Sequence, residues 1–273
     1  MTNIDPMSHT ISSIRNPVIK NLLLLEEKPR ARKEQNLIVI EGVREISMAV
    51  QSGFLIDTLF CCKEILNPDF FGNLNPGVSP GTVIFEVTSE VFNRIAYRKD
   101  HGGIMALAHP KRISFTELIL PPVPLILVLE TVEKPGNLGA ILRTSDAASL
   151  DAVIICDPQT DIYNPNAIRS SIGSVFTLPV ITASSEETIA FLRSKNIRIF
   201  ATSLNATQPY HQTNLCQPLA IIMGSEAFGI SARWLDEADT LIKIPMFGKI
   251  DSMNVSTSAA VVVFEALRQR IFQ

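Results

Sequence analysis

The sequence predicts an α/β chain of two domains, a smaller α/β unit followed by a larger one built on a parallel sheet covered on both faces. Three observations carry this. At 273 residues the chain exceeds the usual reach of a single hydrophobic core, and its 46% hydrophobic residues can fill two. The stretch from 109 to 124 ends in Pro121, Pro122 and Pro124, which makes a stiff connector. Beyond it, continuous apolar runs alternate with helical segments, the pattern of parallel strands buried on both sides. The expected division is therefore a first domain over 1–110, a connector over 111–124 and a second domain over 125–273.

In the first domain, residues 11–34 read as one helix with a basic edge, followed by a strand at 36–40 and a helix at 41–51. Strands are expected at 56–61, 82–87 and 103–108, with a short helix at 89–95 and a Gly/Pro/Asn-rich loop at 67–81. Arg15, Lys20, Lys28, Arg30, Arg32 and Lys33 face only Glu26 and Glu27, so this edge is either a phosphate-facing surface or a solvated helix face. In the second domain the predicted strands are 125–129, 152–156, 178–182, 197–201, 219–223 and 240–244, with helices at 137–149, 164–172, 185–195 and 230–238. A closing helix after Asn254 is apolar on nearly every side, as a helix buried between layers would be.

Composition removes several classes. A net charge of −3 is unlike that of strongly basic nucleic-acid binders. Cys61, Cys62, Cys156 and Cys216 lie at no metal-ligand spacing and read as reduced structural thiols, and the four histidines form no ligand pair. The start Met-Thr-Asn-Ile-Asp has neither a basic n-region nor an apolar h-region, and the run from 119 to 129 is short and proline-broken. A cytoplasmic protein without membrane spans is the expectation.

Ligands of open parallel sheets bind at the carboxyl ends of strands, and three strand ends here carry unusual residues. After the first comes Pro-Gly-Asn-Leu-Gly-Ala-Ile-Leu-Arg-Thr from 135 to 144, where Asn137 could cap a helix and Arg143 could hold a phosphate bidentately or join a surface ion pair. The second, Met-Gly-Ser-Glu-Ala-Phe-Gly-Ile-Ser from 223 to 231, places Gly224 where backbone could approach a flat ligand. Neither matches the dinucleotide or P-loop glycine spacing. The third, Ile-Pro-Met-Phe-Gly-Lys-Ile-Asp-Ser-Met-Asn-Val-Ser from 244 to 256, offers Ser252 and Asn254 as helix caps.

Together these three segments, with Asn-Pro-Asn-Ala-Ile-Arg-Ser-Ser-Ile-Gly at 164–173 and a terminal Glu-Ala-Leu-Arg-Gln-Arg, resemble a SpoU-type RNA ribose methyltransferase of the SPOUT superfamily. The first half resembles, more loosely, that family's ribosomal-protein-like substrate-binding domain, from Ile14-Arg15-Asn16-Pro17 to Glu41-Gly42. The resemblance implies a trefoil knot in the second domain, S-adenosylmethionine as cofactor, RNA as partner and a homodimer that completes each site. By matching position, Thr202, Gly224, Ile244 and Met253 would line the cofactor site, and Asn137, Arg143, Glu226, Ser252 and Asn254 fall on the polar catalytic positions. Arg143 would hold RNA phosphate and polarise the acceptor hydroxyl, Ser252 and Asn254 would orient acceptor and methionine groups, and Asn137 and Glu226 would brace Arg143 or the loop. The implied reaction is methyl transfer to a ribose 2′-hydroxyl of structured RNA, with large-subunit ribosomal RNA favoured by the size of the first domain. A transfer-RNA enzyme and a non-catalytic RNA-binding assembly factor are the alternatives. Ala227 and Met253 stand where the family often has glycine and leucine, and Glu133-Lys134-Pro135-Gly136 replaces its usual aspartate-proline.

Overall fold

The computed structural model describes residues 10–67, 81–98, 102–225 and 228–272, so most of the predicted 67–81 loop lies outside the described residues. The chain forms two compact units. The first comprises 1–111 together with 163–177, and the second comprises 112–162 and 178–273.

In the first unit β1 (Thr10–Ile11), β2 (Ile38–Glu41), β3 (Ile56–Cys61), β4 (Val83–Val87) and β5 (Ile104–Ala108) form one sheet in the order β1-β4-β3-β5-β2. β4 is parallel to β1 and β3, whereas β5 runs antiparallel to β2 and β3. The predicted single helix over 11–34 is instead a short strand and two helices, Pro17–Glu27 and Pro29–Gln35. Pro29 explains the break: it lacks an N–H and drives Lys28 out of helical geometry, to φ −111° and ψ 108°. Asn16 caps the first of these helices, its Oδ1 accepting from Val18 N at 2.8 Å. Their apolar face, including Ile19, Leu22 and Leu25, packs with Phe60, Phe92 and Met105.

The basic edge does not survive intact. Arg32 is buried and donates from Nη1 to Leu25 O at 2.6 Å and Glu26 O at 3.1 Å, satisfying carbonyls at the end of the first helix. Arg30 pairs with Glu34 at 2.7 Å. Arg15, Lys20, Lys28 and Lys33 stay exposed.

Helices Pro165–Ser171 and Ser174–Thr177 belong to this unit although they lie between strands of the other. Phe54 meets Phe176 edge-on at 4.9 Å and Tyr163 at 6.0 Å, while Tyr163 Oη donates to Lys111 O at 2.6 Å. Arg169 reaches the buried Glu41 at 3.5 Å. Gly173, at φ +86°, lies so close to the Met48 side chain that any Cβ would collide with it.

In the second unit β6 (Leu125–Glu130), β7 (Ala152–Cys156), β8 (Val180–Ala183), β9 (Arg198–Thr202), β10 (Gln208–Pro209), β11 (Leu219–Met223) and β12 (Thr240–Lys243) form a sheet in the order β10-β12-β9-β11-β6-β7-β8. Every pairing is parallel. β6, β7 and β11 are buried at each residue, as their unbroken apolar sequences predicted. β10 is a two-residue edge strand that no apolar run announced.

The closing helix, Val255–Ile271, packs on the helix Pro135–Ala147. It buries Val255, Ala259, Val262, Val263 and Ala266, but Phe264 is 46% and Ile271 60% exposed. The expectation of burial all round therefore fails on the far face. At its carboxyl end Arg270 donates to Leu215 O, Gln217 O, Val123 O and Pro124 O at 2.7–3.2 Å. This draws together the chain leading into β6 and into β11.

Candidate functional site

The carboxyl ends of β9, β11 and β12 open into a cleft of about 770 Å³, inside the roughly 300–1,000 Å³ range of small-molecule sites. Thr202, Gly224, Ile244, Ser252, Met253 and Asn254, singled out from sequence, all line it. Three chain segments supply them. Parallel pairing explains the convergence, because neighbouring parallel strands deliver equivalent ends to one edge of the sheet.

Thr202 closes β9, and its Oγ1 donates to Ile222 O at 3.0 Å, so the hydroxyl ties β9 to β11. After β11 the chain folds back on itself: Ser225 N donates to Gly229 O at 2.9 Å and Gly229 N to Ser225 O at 3.0 Å. A Cβ at Gly224 would collide with the Gly229 carbonyl and the Ile230 nitrogen. The close approach expected at this glycine is thus made first by the chain's own backbone. Glu226 and Ala227 lie outside the described residues.

The segment after β12 carries Ser252, Met253 and Asn254 into the closing helix. Asn254 is the cap, its Oδ1 accepting from Ser256 N at 3.0 Å. Ser252 does not cap and instead donates to Asp251 Oδ1 at 3.1 Å. Asn137 is also not a cap: its helix begins at Pro135 with Lys134 as N-cap, which places Asn137 inside the first turn. Its Oδ1 accepts from Asn254 Nδ2 at 3.2 Å. One asparagine consequently fixes the start of the closing helix and the start of the helix beside it.

Arg143 stands apart. It lies six residues beyond Asn137, roughly 9 Å along the axis, and is exposed, outside the cleft lining. Sequence reasoning also missed Lys243 and Asp251, charged residues in the cleft wall, and Glu130. Glu130, at the end of β6, is buried and accepts from Ser231 N at 2.8 Å, fixing the entry to the helix Ala232–Glu237. A carboxylate closing an all-apolar strand was the available signal for it.

The cleft combines an apolar floor (Met223, Ile244, Met253) with hydroxyl, amide and charged groups at its edge, suited to a ligand with one flat apolar part and one zwitterionic part. A model of the SpoU rRNA Methylase family matches residues 124–264, and a model of the MRM3-like substrate binding domain matches 16–106.

The chain belongs to the SpoU rRNA methylase family.

Among its relatives, 23S rRNA (guanosine(2553)-2′-O)-methyltransferase RlmP of Bacillus subtilis is 28% identical over 93% of this chain and 97% of its own length. A crystal structure of an RNA 2′-O ribose methyltransferase aligns with TM-score 0.83 and 38% identity, covering 96% of this chain and all of the other. An AdoMet-bound rRNA methyltransferase from Sinorhizobium meliloti aligns with TM-score 0.87 and 27% identity, over 97% of this chain and 98% of that one. Each of these SpoU likenesses spans both units.

Proposed function

We propose that this protein transfers a methyl group from S-adenosylmethionine to a ribose 2′-hydroxyl of large-subunit ribosomal RNA. The observation that carries the reading is the convergence of Thr202, Gly224, Ile244, Ser252, Met253 and Asn254 on one cleft in a SpoU chain. When bound, S-adenosylmethionine supplies an electrophilic methyl on a sulfonium. Gly224, Ile244 and Met253 would line the part of the cleft that holds the cofactor's methionine and nucleoside portions. Ser252 and Asn254 orient the methionine portion and the acceptor ribose. Asn137 holds Asn254 through the bond described above.

Positioning supplies much of the rate, since a ribose oxygen held in line with the methyl at near-attack distance needs little further ordering. A guanidinium is a donor, so Arg143 holds RNA phosphate and polarises the 2′-hydroxyl. Its exposure fits a site completed by pairing of two protomers. The apolar face left open at Phe264, Ile271 and Phe272 supports that homodimer. A trefoil knot through the ends of β9, β11 and β12 belongs to the same reading. So do a substrate-binding role for residues 1–110, a connector at 111–124, methyl transfer by 125–273 and a cytoplasmic location. Among the described residues no helix is long and apolar enough to cross a membrane.

Isothermal titration with S-adenosylmethionine, paired with radiolabelled methyl transfer to unmodified 23S rRNA and to bulk transfer RNA, tests the proposal. Label in 2′-O-methyl nucleotides of the 23S rRNA is expected. Label confined to transfer RNA would overturn the substrate, and absence of cofactor binding would leave an RNA-binding assembly factor as the better reading.

A further inference from the structure

Immediately after the helix Ser89–Ile95, Ala96 turns extended and the chain leaves the core at Tyr97, which is 72% exposed. A tyrosine this open is normally free to rotate, yet this ring is held. The Arg169 guanidinium lies over one face with Cζ 3.7 Å from the ring centroid, the distance of a stacked pair. Arg169 is itself fixed, by Glu41 Oε2 at 3.5 Å and by a short bond to Asn166 Oδ1. The backbone following the ring is fixed as well: Arg98 N donates to Glu41 Oε1 at 3.0 Å, and the Arg98 guanidinium reaches Glu45 at 2.8 Å and Arg169 O at 3.4 Å. Glu41 and Glu45 are 4% and 2% exposed. Two buried carboxylates therefore anchor two arginines around one aromatic ring, whose remaining face is turned to solvent.

The carboxylates and arginines join distant segments of this unit, but the ring itself adds little to the fold, since most of its surface stays in water. What it provides is a flat, preorganised π surface with a cation behind it. The cation withdraws electron density from the ring, which favours an electron-rich nucleobase on the opposite face, and the ring lies among ionic groups rather than in the charge-depleted apolar core that a protein interface requires. Sequence-specific RNA recognition commonly takes this form, an unstacked base laid on an aromatic side chain.

We propose that the open face of Tyr97 is a stacking platform for one unpaired nucleobase of the RNA substrate. The proposal rests on the RNA methyltransferase reading above, and it assigns the first unit a specific contact with that RNA.

Steady-state methyl transfer to unmodified 23S rRNA by the full-length protein, with RNA varied at saturating S-adenosylmethionine, tests it. Loss of one stacked base predicts that Tyr97→Ala raises the RNA KM about tenfold while cofactor affinity, measured by titration, stays within about twofold. Tyr97→Phe and Tyr97→Trp, which keep a ring, should return KM to within about threefold of the wild-type value. Irradiation of wild-type protein bound to 4-thiouridine-substituted RNA should link Tyr97 to a nucleotide. An unchanged KM in Tyr97→Ala, or a Phe variant as impaired as the Ala variant, overturns the platform while leaving methyl transfer standing. Wild-type protein that transfers no methyl to any RNA overturns both.

Discussion

In the second unit every strand pair is parallel, so β9, β11 and β12 bring their carboxyl ends to one edge and the loops that follow share one cleft. In the first unit only β5 runs against its neighbours, β2 and β3, and charged groups gather just past the end of β2, at Glu41. There they form a buried ionic cluster of Glu41, Glu45, Arg98 and Arg169 that ends at a surface ring. A parallel sheet concentrates chemistry at a point where a small molecule can be enclosed. The mixed sheet instead supports a surface, which suits an extended polymer.

The largest expected effect tests whether the cleft is sufficient. Arg143 is outside it, so Arg143→Ala should slow methyl transfer by about a thousandfold with cofactor affinity within about twofold, measured by single-turnover kinetics and titration. Loss of cofactor binding in this variant would put Arg143 in the wrong role and show that the cleft alone does not hold the cofactor. Next is Gly224→Ala, whose new methyl meets the Gly229 carbonyl; affinity for S-adenosylmethionine should fall about a hundredfold, because backbone cannot yield as a side chain can. Gly81→Ala in the first unit, where nothing lies near the added Cβ but φ is +104°, should lower stability through backbone strain and leave cofactor affinity alone.

A smaller effect separates the two duties of Asn254. Asn254→Ala should cost about 1 kcal/mol of stability through the lost cap. Asn254→Ser should recover the melting temperature, since a serine caps well, but not the rate, since its hydroxyl is too short to reach Asn137. Equal recovery of both would reduce the Asn137 bond to a bystander.

The smallest effect belongs to the first unit. Burial, with the Glu41 carboxylate nearby and only partial relief from Arg169, raises the Glu26 pKa from its ordinary 4.5 to about 7. The folded protein therefore holds this proton more tightly than the unfolded chain. Stability is unaffected below about pH 4.5, declines as pH rises toward 7, and then levels off. Thermal melts of Glu26→Gln should match wild type at pH 4 and exceed it by about 1 kcal/mol or less at pH 8, after allowance for the partial exposure of the group. A pH-independent difference would mean that Glu26 ionises normally.

The sheet of the second unit was readable because β6, β7 and β11 are continuous apolar runs, a pattern that burial on both faces alone requires. Gly224, Ser252 and Asn254 were readable as small or polar residues just past strand ends, whereas Thr202, Ile244 and Met253 came only from the family resemblance. Local pairing was harder. Lys28-Pro29 breaks a helix that periodicity runs straight through, and Arg32 turns inward because two carbonyls need a donor. Asn137 looked like a cap because it follows Pro-Gly, whereas a proline at the first helical position starts the helix two residues earlier. Glu41 with Arg169 was beyond reach, being a partnership across more than a hundred residues that neither local sequence records.

The membership of residues 163–177 in the first unit bears on how this protein can be divided. The chain enters that unit a second time, after β7, and returns before β8. A fragment cut at residue 111 would lose Tyr163 and Phe176 from Phe54 and would strip Arg169 from Glu41, leaving bare aromatic surface and an uncompensated interior charge. The first unit is therefore not a cassette to be excised or expressed alone by cutting at the proline connector. Any fragment meant to keep this unit intact has to carry the 163–177 segment with it.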